Sequence, residues 1–279
     1  MAAFVILHDL ESFLFFKSNM TIHNQRVAVV TGSSRGIGQA IAEQLCKDDY
    51  AVVINYANSK AEAEETVERL VKGGGQAISV KASVADPADR TQLVEAAYEK
   101  WGRLDLLVNN AGITSQGRSD LLEATEESWD VVLDTNLKAP FFLSKDVANR
   151  MMKQIKAGEI PSGQIINISS ISAFAASTNR ADYCIAKAGM TMMTSLFASR
   201  LGDEGINVYE IAPGVIATSM TDGVKAIYDK RIAEGLTPIS RWGQPSDVAA
   251  AVSAIAGGQF PFSTGEVFHV DGGFHVRRL

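Results

Sequence analysis

Short apolar runs recur along the chain at 27–31, 51–56, 76–81, 104–109, 164–169, 207–212 and 267–270. Each has the length of a strand buried on both faces. Between them, apolar residues return every three or four positions at 37–48, 60–72, 87–101, 128–156, 181–202 and 246–257, as on one face of a helix. This alternation predicts an α/β fold: a doubly wound, seven-stranded parallel sheet with helices on both faces. Asp86-Pro87 supplies a cap and a first-turn proline for the third helix. Pro140 predicts a bend in the long helix around it. Segment 181–202 is apolar on nearly every side, which predicts burial all round and one face against a second subunit. No repeat or linker divides the chain, so 25–279 reads as one domain and 1–24 as an N-terminal extension.

The extension has three readings: a docked helix, a disordered tail, or a start assigned too early, with Met20 as a sensible first residue. Its apolar patches, Phe4 to Leu7 and Phe13 to Phe16, are interrupted by His8, Asp9 and Glu11. They are too short to span a bilayer and lack the pattern of a signal peptide. The chain has 279 residues and a net charge of −6, from 26 basic and 32 acidic groups, without a basic block. Nucleic acid and membrane are therefore not expected partners. Cys46 and Cys184 make no disulfide framework and fit reduced thiols in a cytoplasmic protein. The four histidines show no metal-ligand spacing, so no metal site is expected.

Two patterns carry chemistry. Thr31-Gly32-Ser33-Ser34-Arg35-Gly36-Ile37-Gly38 follows the first apolar run and opens the first helix. A strand, a glycine-rich turn and a helix N-terminus together aim free N–H groups and the helix dipole at an anion. A flexible Gly/Ser loop is the bland reading, and the flanking elements favour the phosphate cradle. The second pattern is Tyr183-Cys184-Ile185-Ala186-Lys187, which sets a phenol and an ammonium one turn apart on one helical face. A nearby ammonium favours the phenolate, so the pair predicts a tyrosine that exchanges protons near neutrality.

With these residues the chain resembles the short-chain dehydrogenase/reductase family over about residues 25–279. Thr31-Gly32, Gly36 and Gly38 resemble its cofactor loop, and Asn109-Asn110-Ala111-Gly112 its structural turn. Asn136, Ser170, Tyr183 and Lys187 fall where the family's tetrad falls, and Pro213 to Thr218 where its nicotinamide-side loop falls. The resemblance implies a Rossmann-like fold and hydride transfer between a nicotinamide and a carbonyl or alcohol carbon. It implies Tyr183 as general acid or base and Ser170 as hydrogen-bond donor to the substrate oxygen. Lys187 would lower the Tyr183 pKa and hold the ribose, and Asn136 would bend its helix and support a proton-passing water. Ser169 would point away and support the turn. The implied cofactor contacts are Gly32, Ser34, Arg35, Gly36, Ile37, Gly38, Tyr56, Asn58, Ser83, Val84, Asn110, Ala111, Gly112, Tyr183, Lys187, Pro213, Gly214, Ile216 and Thr218.

The stretch Asn55 to Lys60 lacks the carboxylate that would bind a ribose 2′-hydroxyl, and Arg35 suits a 2′-phosphate. NADP(H) is therefore the expected cofactor, with NAD(H) as the alternative. Ser83-Val84 departs from the family's Asp-Val at the adenine end. The whole chain looks most like the 3-oxoacyl-(acyl-carrier-protein) reductase branch, including Arg241 to Pro245 and the ending His269 to Gly273. Against a carrier-protein partner stand Asp203-Glu204, where that branch tends to have a basic residue. A sugar, polyol or other small carbonyl compound remains a rival substrate, with 216–241 as the substrate lid. A non-catalytic NADP(H)-sensing protein is the alternative of another class, and a structural subunit a third. A homotetramer or homodimer is the expected assembly.

Overall fold

The computed structural model describes residues 25–278; the expectations for residues 1–24 lie outside them. Seven strands, β1 (Arg26–Val30), β2 (Tyr50–Tyr56), β3 (Ala77–Lys81), β4 (Leu106–Asn109), β5 (Gly163–Ile168), β6 (Ile206–Pro213) and β7 (Val267–Val270), form one sheet. Its order is β3-β2-β1-β4-β5-β6-β7, and every pairing is parallel. The helices are α1 (Gly36–Lys47), α2 (Lys60–Lys72), α3 (Pro87–Trp101), α4 (Glu126–Leu133), α5 (Ala139–Ala157), α6 (Ala181–Leu201), α7 (Lys225–Ala233) and α8 (Pro245–Ala256).

Alternation along the strands divides the core in two. Val27, Val29, Val53, Leu107, Ile165 and Val208 face α3, α5 and α6. Ala28, Val30, Ile54, Val108, Ile166 and Ile211 face α1, α2 and α8. Both faces are thus apolar, as a covered parallel sheet requires. Asp86 caps α3 by accepting from the amides of Ala88 and Asp89, and Pro87 takes the first turn. Asp105 fixes the entry to β4: its carboxylate accepts from the Val27 amide at 2.8 Å and from Arg103.

Two readings change. The long helix expected at 128–156 runs from 126 to 157 and contains a π-helical turn, Asp134–Lys138. There the amide of Ala139 reaches back to the carbonyl of Asp134. Pro140 has no amide to give to the carbonyl of Asn136 four residues earlier, so the wider turn precedes the proline. The segment 216–241 was expected only as a lid, and it contains α7, of which Ile232 alone is buried. Among the described residues no helix is long and apolar enough to cross a membrane.

Leu107 is fully buried on the central strand β4. Leu107→Ala should lower unfolding stability by about 2–5 kcal/mol, read by urea denaturation.

Candidate active site

The cradle is built by close backbone approach. Gly32 lies against Ala111, where a Cβ would come within 2.9 Å of the Ala111 Cα. At Gly38 a Cβ would lie 2.4 Å from both the Gly32 carbonyl and the Asn110 side chain. Gly32 and Gly36 also have φ of +60°, which glycine adopts without a Cβ clash. Thr31 Oγ1 accepts from the amides of Asn110 and Ala111, and the Asn110 side chain donates to the carbonyls of Thr31 and Gly32. α1 begins with no side-chain cap and no acid in its first turn. Its first amides are therefore available to an anion. This is the fit a pyrophosphate requires.

The remaining expected contacts lie along the same C-terminal edge of the sheet. Arg35 is exposed, and its side chain makes no hydrogen bond or ion pair with a described residue. Asn58 is exposed just beyond β2, whereas Tyr56 is 8% exposed and packs into the apolar core. Ser83 gives its amide to Asp89 Oδ2 at 2.7 Å, and Val84 is buried beside it. Pro213 ends β6; Gly214 packs on Asp271, Ile216 bridges to Gly243, and Thr218 closes on Gly36.

Ser170, Tyr183, Lys187 and Asn136 meet beyond the C-terminal ends of β4 and β5. Ser170 leads the turn after β5 and hydrogen-bonds Tyr183. Lys187, 3% exposed, donates to the Ile168 carbonyl at 2.9 Å and lies 5.7 Å from the centre of the Tyr183 ring. Asn136 is fully buried in the π turn and pairs through both side-chain atoms with the backbone of Ile113. Gly112 separates the two: a Cβ there would sit 3.3 Å from Asn136 Oδ1 and 3.7 Å from Lys187 Nζ.

The electrostatics correct one expectation. Burial pushes the Tyr183 phenol above its ordinary value, against lowering by Ser170, Arg180 and Arg118. Burial pulls Lys187 down to about 8, with Glu210 opposing. The protein alone therefore holds the tyrosine protonated at neutrality, which suits proton donation rather than removal.

A family model described as enoyl-(acyl carrier protein) reductase matches residues 32–275. The chain is 40% identical over 255 residues to a 3-oxoacyl-[acyl-carrier-protein] reductase of Synechocystis, covering 91% of this chain and 98% of the relative. Among solved structures, the 3-oxoacyl-[acyl-carrier protein] reductase of Brucella melitensis in complex with NAD superposes with a TM-score of 0.87. Its identity is 38%, and 92% of this chain and 99% of that one are covered. A putative gluconate dehydrogenase from Agrobacterium tumefaciens has a TM-score of 0.83 at 30% identity, covering 91% and 97%. The chain belongs to the short-chain dehydrogenase/reductase family. Within that family it is 3-oxoacyl-(acyl-carrier-protein) reductase-like, an oxidoreductase acting on C=O and CH–OH groups.

Several residues that build this short-chain dehydrogenase/reductase site escaped the sequence reading. Asn55 accepts from the Gly32 amide at 2.9 Å and donates to the Ala82 carbonyl, tying the cradle to β2 and the turn after β3. Asp182 is 4% exposed and accepts from Ser115, from Ser128 at 2.6 Å and from the Tyr183 amide. It joins the start of α6 to α4 and to the loop after β4. An acid beside the tyrosine in a first helical turn was the available signal. His269, Asp271 and His275 also converge, with donor atoms within 4.8 Å of one another, so the histidines are not all scattered. The two rings stack at 4.1 Å, and Asp271 is engaged by His275 and the Gly273 amide. These three line a cavity of about 370 Å³ under the lid that contains none of the tetrad.

Burial raises the Asp182 carboxyl, but bonds from Ser115, Ser128 and the backbone hold it below 3.8. Its stabilisation is present above the unfolded value and is lost as pH falls through the lower folded value. Asp182→Ala should cost about 2–3 kcal/mol near pH 7. The difference from wild type should shrink as the pH falls below the ordinary carboxylate range, measured by denaturation at neutral and at acid pH.

Proposed function

We propose that the chain is an NADP(H)-dependent reductase of 3-oxoacyl thioesters. The convergence of Ser170, Tyr183 and Lys187 beside an uncapped glycine cradle carries this reading. When bound, the nicotinamide supplies the hydride. Ser170 Oγ and the Tyr183 hydroxyl then hold the carbonyl oxygen, and Tyr183 gives that oxygen its proton as the alkoxide forms. Lys187 supplies positive charge behind the tyrosine and hydroxyl recognition for the ribose. Asn136, fixed by Ile113, keeps the helix wide where proton exchange with solvent would pass. The absence of an acid from Asn55 to Lys60, with the unpaired Arg35, supports the 2′-phosphate of NADP(H).

The carrier protein is the less supported part. Arg150 is spent on Glu95 at 2.6 Å and on Asp146, and Glu204 pairs with Arg200. Asp203 stays exposed where an acidic carrier would approach. This favours a second reading, in which the substrate is a sugar, polyol or other small carbonyl compound. For assembly we propose a homodimer or homotetramer. Ile185, Met192 and Leu196 leave one face of α6 exposed, beside exposed Phe141 and Phe142 of α5.

NADPH oxidation with acetoacetyl thioesters and keto-sugars, with NADH alongside, tests the reading. Thioester turnover with NADPH is expected; keto-sugar turnover alone selects the second reading. Tyr183→Phe should lower kcat roughly 100- to 10,000-fold, and full turnover in that variant would overturn the mechanism. Arg35→Glu should raise the KM for NADPH by about tenfold or more with that for NADH little changed; equal effects on both would reject the 2′-phosphate contact.

A further inference from the structure

β6 carries one charged residue in an otherwise uncharged run, Glu210, which is 0% exposed. It shares the sheet face of Val208, which is covered by α6. An apolar side chain would suit such a strand, whereas an ionisable group there is retained only with partners. One carboxylate oxygen accepts from Ser169 Oγ and from Thr191 Oγ1, the latter at 2.9 Å. The other is buried without a hydrogen-bond partner. Both partners belong to the active-site framework. Ser169 precedes Ser170, and Thr191 lies one helical turn beyond Lys187.

Lys187 gives its hydrogen bond to Ile168 rather than to Glu210, so the two charges act on each other through space. Tyr183 is the other titratable group beside the lysine, on the same helix. From β5 come the Ile168 carbonyl and the Ser169 hydroxyl, and from the loop and π turn come Gly112 and neutral Asn136. On the two strands flanking β6, Glu210 pairs with Asn167 and Val267, both uncharged. Burial raises the Glu210 carboxyl, and the hydroxyls of Ser169 and Thr191, which donate to it, together with the Lys187 charge pull it back toward the ionised form.

We propose that Glu210 is a positioning residue, a buried counter-charge that holds Lys187 as an ammonium behind Tyr183 and locks the Ser169-Ser170 turn to α6. It rests on the role given to Lys187 above. It also accounts for a charge inside the sheet that packing does not require. Burial alone drives Lys187 toward its neutral form, and the Glu210 charge opposes that loss.

The test is a carbon-13 NMR titration of the lysine Cε signals, with Lys187 assigned by Lys187→Arg. In wild type the Lys187 midpoint should lie near about 8. Glu210→Gln should lower it by about 1–3 units, the effect of removing one close opposite charge. Glu210→Asp, which keeps the charge, should restore most of the difference. The alkaline limb of kcat/KM for carbonyl reduction should move in the same direction. An unchanged midpoint in folded Glu210→Gln would overturn the proposal. If that variant does not fold, Thr191→Val decides: a smaller fall in the midpoint supports the counter-charge and no fall overturns it. A wild type that reduces no carbonyl would instead remove the functional reading, while the lysine titration would still report on Glu210.

Discussion

The site depends on the distance between the ends of β1 and β4. Gly32 and Ala111 touch there backbone to backbone, and the Thr31 hydroxyl and Asn110 side chain hold the contact with four hydrogen bonds. That knot lies where the strand order reverses, β2 running to one side of β1 and β4 to the other. Crossover helices leave in opposite directions at such a point, and a crevice opens between them. The glycines keep the knot tight, and tightness leaves the first amides of α1 facing the opening instead of a side chain. Widening it by a methyl group would move the cradle relative to Lys187, which reaches Gly112 from the other side.

Much of this was legible from residue order. The seven apolar runs became the seven strands within a residue or two, because a strand covered on both faces must be apolar at every position. The Tyr183–Lys187 pair was legible from its helical spacing, whereas Asn136 and Ser170, in a π turn and a strand-end turn, were named only through the family resemblance. What escaped was set by contacts distant in sequence. Asn55 reads only as the polar position of an apolar strand until β1, β2 and β3 are side by side. Asp182 gains its meaning only when Ser115 and Ser128 arrive from elsewhere. The π turn was not read from the hydrophobic period, and Pro140 signalled a disturbance without its form.

The expected chemistry of Tyr183 also changed with depth. A Tyr-Lys pair on an open helix would favour the phenolate. Here both groups are enclosed, and burial outweighs the neighbour: the phenol keeps its proton while the ammonium is weakened. The pair thus behaves as an acid with a labile cation behind it.

The π turn at Asp134–Lys138 shifts the phase of the helix it interrupts. One extra residue in a turn rotates everything downstream by about 100° relative to a continuous α-helix. The burial pattern of α4 and that of α5 are therefore written in two reading frames joined at Asn136. Removing a single residue from this stretch would restore regular winding and leave Leu143, Val147 and Met151 on the core they fill, while abolishing the widened turn that holds Asn136. A gap in this stretch marks a relative whose helix winds regularly and lacks the widened turn.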